Sequence, residues 1–225
     1  MNRRTRHPAL GQARLYGILD LAYVSEREAL RVAGDLLSGG VQVLQLRAKH
    51  RTPETVLPLA CEVSALCRAS GTPFIVNDHP RLVPECQAQG AHVGQDDLSV
   101  AEARKLAGDD AIIGKSTHSL AQARAALLEG PDYIGFGPLF ATRTKPDYTP
   151  VGIDEIRRVQ EEVGIPVFCI GGINLSNLRK VVTAGARRVA IVSGILQAEN
   201  PRAYCEECRR ILDSANSAEN PLSQL

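Results

Sequence analysis

The sequence predicts a protein of the α/β class, folded as a single (β/α)₈ TIM barrel. Eight short apolar runs alternate with helical stretches, and polar motifs close most of these runs. Functional side chains at one end of successive parallel strands are typical of an enzyme whose active site is a rim of βα loops. The length of 225 residues and the 44% share of hydrophobic residues can supply one sizeable core.

The eight predicted strands are mostly apolar throughout, as strands buried on both faces of a sheet should be. They cover residues 15–19, 41–46, 74–76, 91–94, 111–114, 133–136, 167–170 and 188–192. Eight strand–helix units suit a closed barrel, whose usual size begins near about 200 residues. The alternative is an open doubly wound sheet, which needs fewer strands and usually a glycine-rich turn after the first one. The first strand here ends at Leu19-Asp20-Leu21, without such a turn.

The predicted helices begin at residues that suit helix N-termini. Ser25, Ser99 and Ser119 are each followed three residues later by Glu or Gln, and this spacing predicts capping boxes for the first, fourth and fifth helices. Pro53 follows the cap residue Thr52 and fits the first position of the second helix. Glycines or polar turns follow the helices and predict their ends.

Two flanking segments are predicted to lie outside the catalytic barrel, which is expected to span residues 15–213. Residues 1–14 form a basic arm with four arginines and no apolar stretch, so the arm is expected to be flexible and not a secretory signal. Residues 214–225 form a polar tail that is expected to fray. No run approaches the ~18 apolar residues of a membrane span.

Composition narrows the classes of partner. The 26 Lys and Arg residues balance 25 Asp and Glu residues, so no binding of nucleic acid or of a membrane is expected. Trp is absent and aromatic residues make up 4%, which argues against base stacking. Six cysteines without a secretion signal predict free thiols in a reducing cytoplasm, and Cys205 and Cys208 lack the second pair that a zinc site needs. The oligomeric state stays open, with a homodimer among the candidates.

The first polar motif carries two cations. Gln45, Arg47 and Lys49 alternate with period two, so they share one face of an extended segment, which in a barrel points inward. No acidic residue lies near them in the sequence, and buried cations are costly unless they meet an anion. We therefore expect an anion site here, with a salt-bridged pair on the outer surface as the alternative.

The second motif is a pair of carboxylates. Asp78 and Asp97 each follow an apolar strand, and because the two strands are consecutive, both side chains can converge on one ion. Carboxylates with water and phosphate oxygens are the usual ligands of Mg²⁺. The alternative for either residue is a helix N-cap, and Asp96 could take that part in place of Asp97. Together with Arg47 and Lys49, the carboxylates predict a site for magnesium and diphosphate.

A second anion site is predicted at the last two strands. Gly171-Gly172 and Val192-Ser193-Gly194 close these strands, where backbone N–H groups of barrels commonly bind phosphate. The double glycine alone is weak, since a tight turn needs it as much. The two sites together predict two phosphorylated substrates that are joined between them.

The same motifs, taken in order, resemble those of the thiamine-phosphate synthase family, also called thiamine-phosphate pyrophosphorylases. The resemblance runs from about residue 15 to about residue 210. The motifs that carry it are Gln45-x-Arg47-x-Lys49, Val76-Asn77-Asp78, Gly94-Gln95-Asp96-Asp97, Gly114-x-Ser116-x-His118, Gly135-x-Gly137-Pro138-x-Phe140-x-Thr142-x-Thr144-Lys145, Ile170-Gly171-Gly172-Ile173 and Val192-Ser193. Each motif is weak alone, but the set is specific.

This resemblance implies a (β/α)₈-barrel transferase, active on two phosphorylated heterocycles. A hydroxymethylpyrimidine diphosphate would lose diphosphate, and the nitrogen of a thiazole phosphate, or of its carboxylated form, would capture the resulting cation to give thiamine phosphate. Six residues would hold the pyrimidine diphosphate: Gln45, Arg47, Lys49, Asn77, Ser116 and Lys145. Of these, Arg47, Lys49, Ser116 and Lys145 would assist catalysis. Asp78 and Asp97 would hold Mg²⁺, and five residues would hold the thiazole phosphate: Thr142, Thr144, Gly172, Val192 and Ser193.

Three other functions are weighed against this one. A thiazole tautomerase of similar fold would use the histidine that matches His118 as a general acid and base, but it has no use for a magnesium-diphosphate site. A non-catalytic sensor barrel would not need the carboxylate pair. A phosphosugar isomerase would need a general base at a strand end, and neither Glu85 nor Glu129 is so placed. One departure from the family pattern is His79-Pro80-Arg81, where many relatives carry a further acidic residue that supports the metal.

Overall fold

Eight parallel strands close into one barrel in the order of the chain. The structure, a computed structural model, describes residues 7–142 and 149–219. Each strand pairs in parallel with the next, and the last pairs with the first, which closes the barrel. The strands are β1 (Leu15–Asp20), β2 (Val43–Arg47), β3 (Phe74–Asn77), β4 (Gly90–Val93), β5 (Ile112–Thr117), β6 (Tyr133–Phe136), β7 (Val167–Ile170) and β8 (Val189–Ile191). The predicted fold class is confirmed, and the open sheet is excluded.

The predicted strands all occur, with small shifts at their ends. The sixth and seventh have the predicted bounds, whereas β5 runs three residues further than expected. Ser116 and Thr117 therefore belong to the strand, where they pair with Gly135 and Phe136 of β6. This extension fixes the Ser116 side chain on a rigid element instead of a loop.

Helices surround the barrel and two of them follow the last strand. They are α1 (Pro8–Gln12), α2 (Glu26–Ser38), α3 (Pro53–Ser70), α4 (Leu82–Cys86), α5 (Val100–Ala107), α6 (Leu120–Glu129), α7 (Ile156–Glu162), α8 (Leu178–Thr183), α9 (Ser193–Leu196) and α10 (Pro201–Glu219). The short α9 is the extra helix that often borders the phosphate site of such barrels.

The predicted helix caps form to different degrees. Ser99 makes the full capping box with Glu102, and Ser119 accepts a hydrogen bond from the backbone N–H of Gln122. Ser25 makes no side-chain cap, and its hydroxyl instead donates to the carboxylate of Glu28 at 3.0 Å. The capping motif thus marked all three helix starts, but only one complete box is present among the three.

The core has two layers. Outward-facing strand residues pack against the helices, and inward-facing residues fill the barrel. Three aromatic rings dominate the interior: the ring of Phe168 lies edge-on to Tyr16 at 5.2 Å and to Tyr133 at 5.6 Å between centroids. Edge-to-face contacts of this kind stabilise a core beyond the area they bury. The floor of the barrel is therefore rigid and largely apolar, with two buried hydroxyl groups.

Both flanking segments differ from the sequence expectation. The arm was expected to be flexible through Arg14, but residues 8–12 form α1, and Leu10 is fully buried in the same interior cluster as the barrel aromatics. The guanidinium of Arg188 donates to the carbonyl of Gly11 at 2.5 Å. Leu10 and Ala13, both buried in this cluster, anchor the segment to the barrel. The tail was expected to begin at residue 214, but α10 continues to Glu219.

The cysteines are free thiols, as the sequence predicted. All six thiols are free, and Cys205 and Cys208 are fully buried on α10, so they pack as core residues. Burial raises the pKa of both thiols to about 12. Among the residues the structure describes, no helix combines the length and the apolarity needed to cross a membrane.

Candidate active site

A central pocket opens at the carboxyl ends of the strands, with an empty volume of about 900 Å³ that includes its open mouth. Its floor is formed by Tyr16, Tyr133 and Phe168. Eight of the residues assigned to substrates from the sequence line it: Gln45, Arg47, Asn77, Ser116, Thr142, Gly172, Val192 and Ser193. Thr144 and Lys145 lie outside the described residues. The motifs that are dispersed along the chain therefore meet around one cavity.

The two cations of the first motif have acidic partners, which corrects the expectation that they lack them. The Arg47 guanidinium lies 2.6 Å from the carboxylate of Asp20 at the end of β1, and Lys49 Nζ lies 3.2 Å from Asp78 Oδ2 at the end of β3. Asp20 is fully buried, and it also accepts from the backbone N–H of Ala22. Sequence distance hid these pairs, because neighbouring barrel strands supply the partners.

The shared inward face of the first motif is only partly retained. Gln45 and Arg47 line the central pocket, but Lys49 lies beyond the end of β2. Arg47 and Lys49 together with His50 and Arg51 line an outer pocket beside the barrel mouth. Arg47 reaches both cavities, so the cationic surface begins in the central pocket and continues outward. This arrangement suits an elongated anion better than a single phosphate.

Asp78 and Asp97 do converge, as predicted from their consecutive strands. Burial raises the pKa of the Asp78 carboxyl, the nearby charge of Asp97 raises it further, and Lys49 opposes the rise. Asp97 also accepts from the backbone N–H of Gly94 at 2.7 Å. Asp78 adopts a left-handed conformation, with φ 62°, which Asp and Asn tolerate better than other side chains. Two carboxylates held this close favour a cation between them.

The donor set fits Mg²⁺ and does not suit a closed protein-only metal site. No group of three or more His, Cys, Asp or Glu residues that could hold a metal occurs within residues 7–142 and 149–219. Mg²⁺ commonly binds one or two carboxylates and completes its shell with water and substrate phosphates. Lys49 Nζ already occupies a cation position at Asp78. The neighbouring Asp96 is exposed.

Two loops meet at the opposite side of the pocket. The backbone N–H groups of Leu139 and Phe140 donate to the carbonyls of Ile170 and Gly171, at 2.8 and 3.1 Å. A Cβ on Gly171 would lie 2.4 Å from Pro138, and this glycine has φ 98°. The glycine pair is therefore required by the tight approach of two loops, whatever it binds.

The residues assigned to the thiazole phosphate border a second cavity that adjoins the central pocket. Thr142, Gly172 and Ser193 line both cavities, and Val192 lines the central one. Ser193 begins α9, and the first N–H groups of a helix have no partners within the helix. Backbone donors and two hydroxyl groups thus border one side of the mouth, across from the cations.

The sequence analysis missed Tyr16, His92 and Tyr133, which join Gln45 and Ser116 in a chain of hydrogen-bonded side chains at the bottom of the pocket. Gln45 contacts Tyr16, Tyr16 contacts Tyr133, Tyr133 contacts His92, and His92 contacts Ser116, each at 2.8 to 3.0 Å. Strand parity could have found these residues, since Tyr16, Gln45 and His92 lie at inward positions of their strands. Only barrel closure shows that they touch.

His118 lies in the pocket wall with its ring held by the backbone. Its Nδ1 is 2.5 Å from the carbonyl oxygen of Gly137, and because a carbonyl only accepts, Nδ1 donates. Its backbone N–H donates to Gln122 Oε1 at 2.7 Å. The ring is thus oriented by the loop after β6, as a structural wall residue or a proton carrier would be.

The (β/α)₈ barrel thus carries a region of cations and carboxylates and a region of hydroxyl groups and backbone donors at one mouth, an arrangement typical of an enzyme. Comparison with known proteins identifies the family. The profile of the TMP-TENI family, described as thiamine monophosphate synthase, matches residues 15–195. The chain is 40% identical over 200 residues to a thiamine-phosphate synthase of Chloroflexus aurantiacus, covering 88% of this chain and 92% of the relative. It is 41% identical over 201 residues to one of Halalkalibacterium halodurans, covering 89% and 95%.

A solved structure agrees with these relatives. The thiamine phosphate pyrophosphorylase of Pyrococcus furiosus superposes with a TM-score of 0.84 at 30% identity, covering 92% of this chain and 98% of that one. The chain belongs to the thiamine monophosphate synthase family and is a transferase.

Proposed function

We propose that this transferase couples 4-amino-2-methyl-5-hydroxymethylpyrimidine diphosphate with a thiazole phosphate, giving thiamine phosphate and diphosphate. The observation that carries the proposal is that Arg47 and Asn77, on β2 and β3, line one pocket together with Gly172, Val192 and Ser193, which follow β7 and β8. The carboxylate of Asp78 follows Asn77 directly and is paired with Lys49. A diphosphate end and a monophosphate end need two such regions, with the reacting atoms between them. The relatives named above bear the name of this activity.

Bond breaking would come first. The C–O bond between the pyrimidine methylene and the diphosphate breaks, and its electron pair leaves with the diphosphate. The electron-rich aminopyrimidine stabilises the positive methylene, and the thiazole nitrogen then donates its lone pair to form the new C–N bond. These reaction steps need no nucleophile from the protein. The carboxylated thiazole phosphate is an alternative acceptor.

The cations work on the leaving group, because it gains charge as the C–O bond breaks. Two unit charges 4 Å apart interact by about 4 kcal/mol at an effective dielectric of 20, so Arg47 and Lys49 stabilise the departing diphosphate more than the bound substrate. Mg²⁺, held by Asp78 and Asp97, would supply further positive charge at the diphosphate oxygens. If Asp78 and Asp97 held this cation, Lys49 would be released from its pair with Asp78 and could turn to the substrate.

The remaining assignments follow the two ends of the pocket. Gln45, Asn77 and Ser116 would orient the pyrimidine half, with Lys145 on its diphosphate, and Thr142, Thr144, Gly172, Val192 and Ser193 would bind the thiazole phosphate. The residues on rigid strands therefore position the part that ionises, and the loops hold the part that attacks. A homodimer and a cytoplasmic location stay predictions.

The test is formation of thiamine phosphate from both substrates, with and without Mg²⁺, in the wild type and in Lys49→Ala. Loss of one such donor is worth ~10²-fold in rate. Lys105→Ala is the matched control, because Lys105 is an exposed lysine on α5 far from the motif. Equal turnover of Lys49→Ala and Lys105→Ala would refute the proposal. A coupling rate that does not change when Mg²⁺ is chelated would refute it as well.

A further inference from the structure

Five residues from five strands form a continuous hydrogen-bonded chain along the floor and wall of the central pocket, which all five line. Gln45 Nε2 lies 2.8 Å from Tyr16 Oη, which lies 2.9 Å from Tyr133 Oη. Tyr133 Oη lies 3.0 Å from His92 Nδ1, and His92 Nε2 lies 2.9 Å from Ser116 Oγ. Gln45 and both tyrosines are no more than 3% exposed. Such a chain has two possible directions, and the direction decides what Ser116 offers to a substrate.

The end at Gln45 sets the direction. An amide nitrogen only donates, so Tyr16 accepts from Gln45. Burial raises the pKa of both tyrosines far above its ordinary value, and hydrogen bonding from Gln45 opposes the rise at each. Both phenols therefore keep one hydrogen each at neutral pH. Buried polar hydrogens need acceptors, because an unmet one costs about 1–3 kcal/mol.

The direction then passes from one residue to the next. The hydroxyl of Tyr16 donates to Tyr133, and the hydroxyl of Tyr133 donates to His92 Nδ1. His92 must then carry its hydrogen on Nε2, from which it donates to Ser116 Oγ. In this direction the hydrogens of Tyr16, Tyr133 and His92 each have an acceptor within 3.0 Å. Ser116 accepts from below, and its own hydrogen is left for the pocket that its side chain lines.

We propose that Tyr16 and Tyr133 are positioning residues, which transmit the orientation of the Gln45 amide to His92 and so present Ser116 Oγ to the substrate as a hydrogen-bond donor. This inference rests on the proposed function for the identity of the substrate, the pyrimidine diphosphate. A donor that already points at the substrate needs no reorganisation at the moment of reaction. With the opposite direction, Ser116 would donate to His92 and face the substrate with lone pairs only.

The tautomer of His92 reports the direction and can be measured without any substrate. The protein contains five histidines, so ¹⁵N-labelled histidine side chains give a small set of signals in long-range ¹H–¹⁵N correlation spectra. The His92 signals are assigned as those missing from His92→Asn. We expect one hydrogen, on Nε2, in the wild type. A hydrogen on Nδ1, or on both nitrogens, at neutral pH would overturn the proposal.

Two substitutions test whether the chain, rather than local packing, holds that tautomer. Tyr133→Phe removes the donor to Nδ1, and Gln45→Met removes the donor at the far end, three hydrogen bonds from His92. Both should convert the single Nε2–H tautomer into a mixture. Phe168→Leu is the control, since it loosens the ring contacts of both tyrosines but removes no hydrogen bond of the chain. A pure Nε2–H tautomer in Gln45→Met, or a shift in Phe168→Leu as large as in Tyr133→Phe, would refute transmission.

A kinetic cycle links the chain to Ser116. Tyr133→Phe should lower kcat about 5- to 10-fold, the worth of one neutral hydrogen bond, with little change in KM. In a Ser116→Ala background the same substitution should have no further effect, because its influence passes through the missing hydroxyl. Additive losses would contradict the proposal. The spectra distinguish this failure from failure of the proposed function, which would leave the tautomer result intact and abolish coupling in the wild type.

Discussion

The charged side chains at the barrel mouth form pairs between neighbouring strands. These pairs determine how the stability of the site changes when a cation binds. Lys49 lies against Asp78, and Asp97 raises the pKa of the same carboxyl. Asp78 holds this position with φ 62°, so Asn is a better replacement than Ala, which would add backbone strain. Replacing Asp78 or Asp97 by Asn should therefore weaken the stabilisation by Mg²⁺ and leave the fold intact.

The first prediction concerns Asp97→Asn. In the wild type without metal, the raised pKa of Asp78 means that the folded state holds more protons than the unfolded state. The free energy of unfolding should therefore fall as pH rises above the ordinary aspartate pKa of about 3.9. Asp97→Asn removes part of that repulsion, so its metal-free Tm at neutral pH should equal or exceed that of the wild type. Mg²⁺ should raise Tm in the wild type and much less in Asp97→Asn, as thermal unfolding at several pH values would measure.

The matched variant is Asp96→Asn, one residue earlier and exposed. It should keep the Mg²⁺-dependent rise in Tm and the Mg²⁺ requirement of coupling. A greater sensitivity at Asp96 than at Asp97 would show that the ligand assignment is wrong by one residue.

The second prediction concerns His118→Asn and separates coupling from tautomerase chemistry. A dissociative substitution needs no base at the carbon that ionises, and an Asn amide can still donate to the carbonyl of Gly137. Coupling should fall by no more than ~10-fold, whereas loss of a general acid and base is worth ~10²–10⁴-fold. Rates of thiamine phosphate formation in His118→Asn and Lys49→Ala provide the contrast. A collapse in the former with little loss in the latter would favour the tautomerase.

Among the helices, the capping motifs give a third prediction, because similar sequences produced different caps. Ser99 and Glu102 make the reciprocal capping box, while Ser25 makes no side-chain cap. Ser99→Ala should lower the free energy of unfolding by about 1 kcal/mol, and Ser25→Ala by a few tenths. Denaturant unfolding of both variants measures the difference.

The capping box also predicts a pH dependence. Hydrogen bonding from Ser99 lowers the pKa of the Glu102 carboxyl. The contribution of Glu102 is therefore full above its ordinary pKa of about 4.3 and is lost as pH falls through the lowered value. The gap between the two serine variants should narrow in acid. A gap that is constant from neutral to acid pH would argue against the box.

The loops after β6 and β7 act as one unit, and their glycines give the fourth prediction. In Gly171→Ala the new Cβ would lie 2.4 Å from Pro138, and the residue would be held at φ 98°. We expect a loss of about 1–3 kcal/mol in unfolding free energy and a higher KM for the thiazole phosphate, with a smaller effect on the KM for the pyrimidine diphosphate. Gly130→Ala is a control, since it also has positive φ but open space around it. Equal KM changes for both substrates would separate this loop from the thiazole side.

The whole barrel depends on its amino-terminal segment, which gives the fifth prediction. Leu10 is fully buried in the interior cluster of the barrel, together with Ala13. Leu10→Ala should lower the free energy of unfolding by about 2–5 kcal/mol, the range for buried Leu to Ala changes. Leu128→Ala, at a leucine that is 92% exposed, should stay within about 0.5 kcal/mol of the wild type. Similar unfolding midpoints for both variants would mean that α1 is not part of the folded core.

The sequence by itself determined the elements and their order. Strands and helices follow from the local spacing of apolar residues and from the capping and turn residues at their ends. The eight strands, the glycine turns and the polar rim were therefore all predictable. The positions of Arg47, Asp78, Asp97 and Ser193 at one mouth followed, because the carboxyl ends of parallel strands lie on one side of a barrel.

Only the tertiary structure decided which side chains touch. Tyr16 and Tyr133 are 117 residues apart in the chain yet share a hydrogen bond, and Asp20 reaches Arg47 from the neighbouring strand. Leu10 became a core residue because closing the barrel creates an apolar interior that one leucine can reach. Such contacts depend on register and closure, which join distant segments, and no local pattern encodes them.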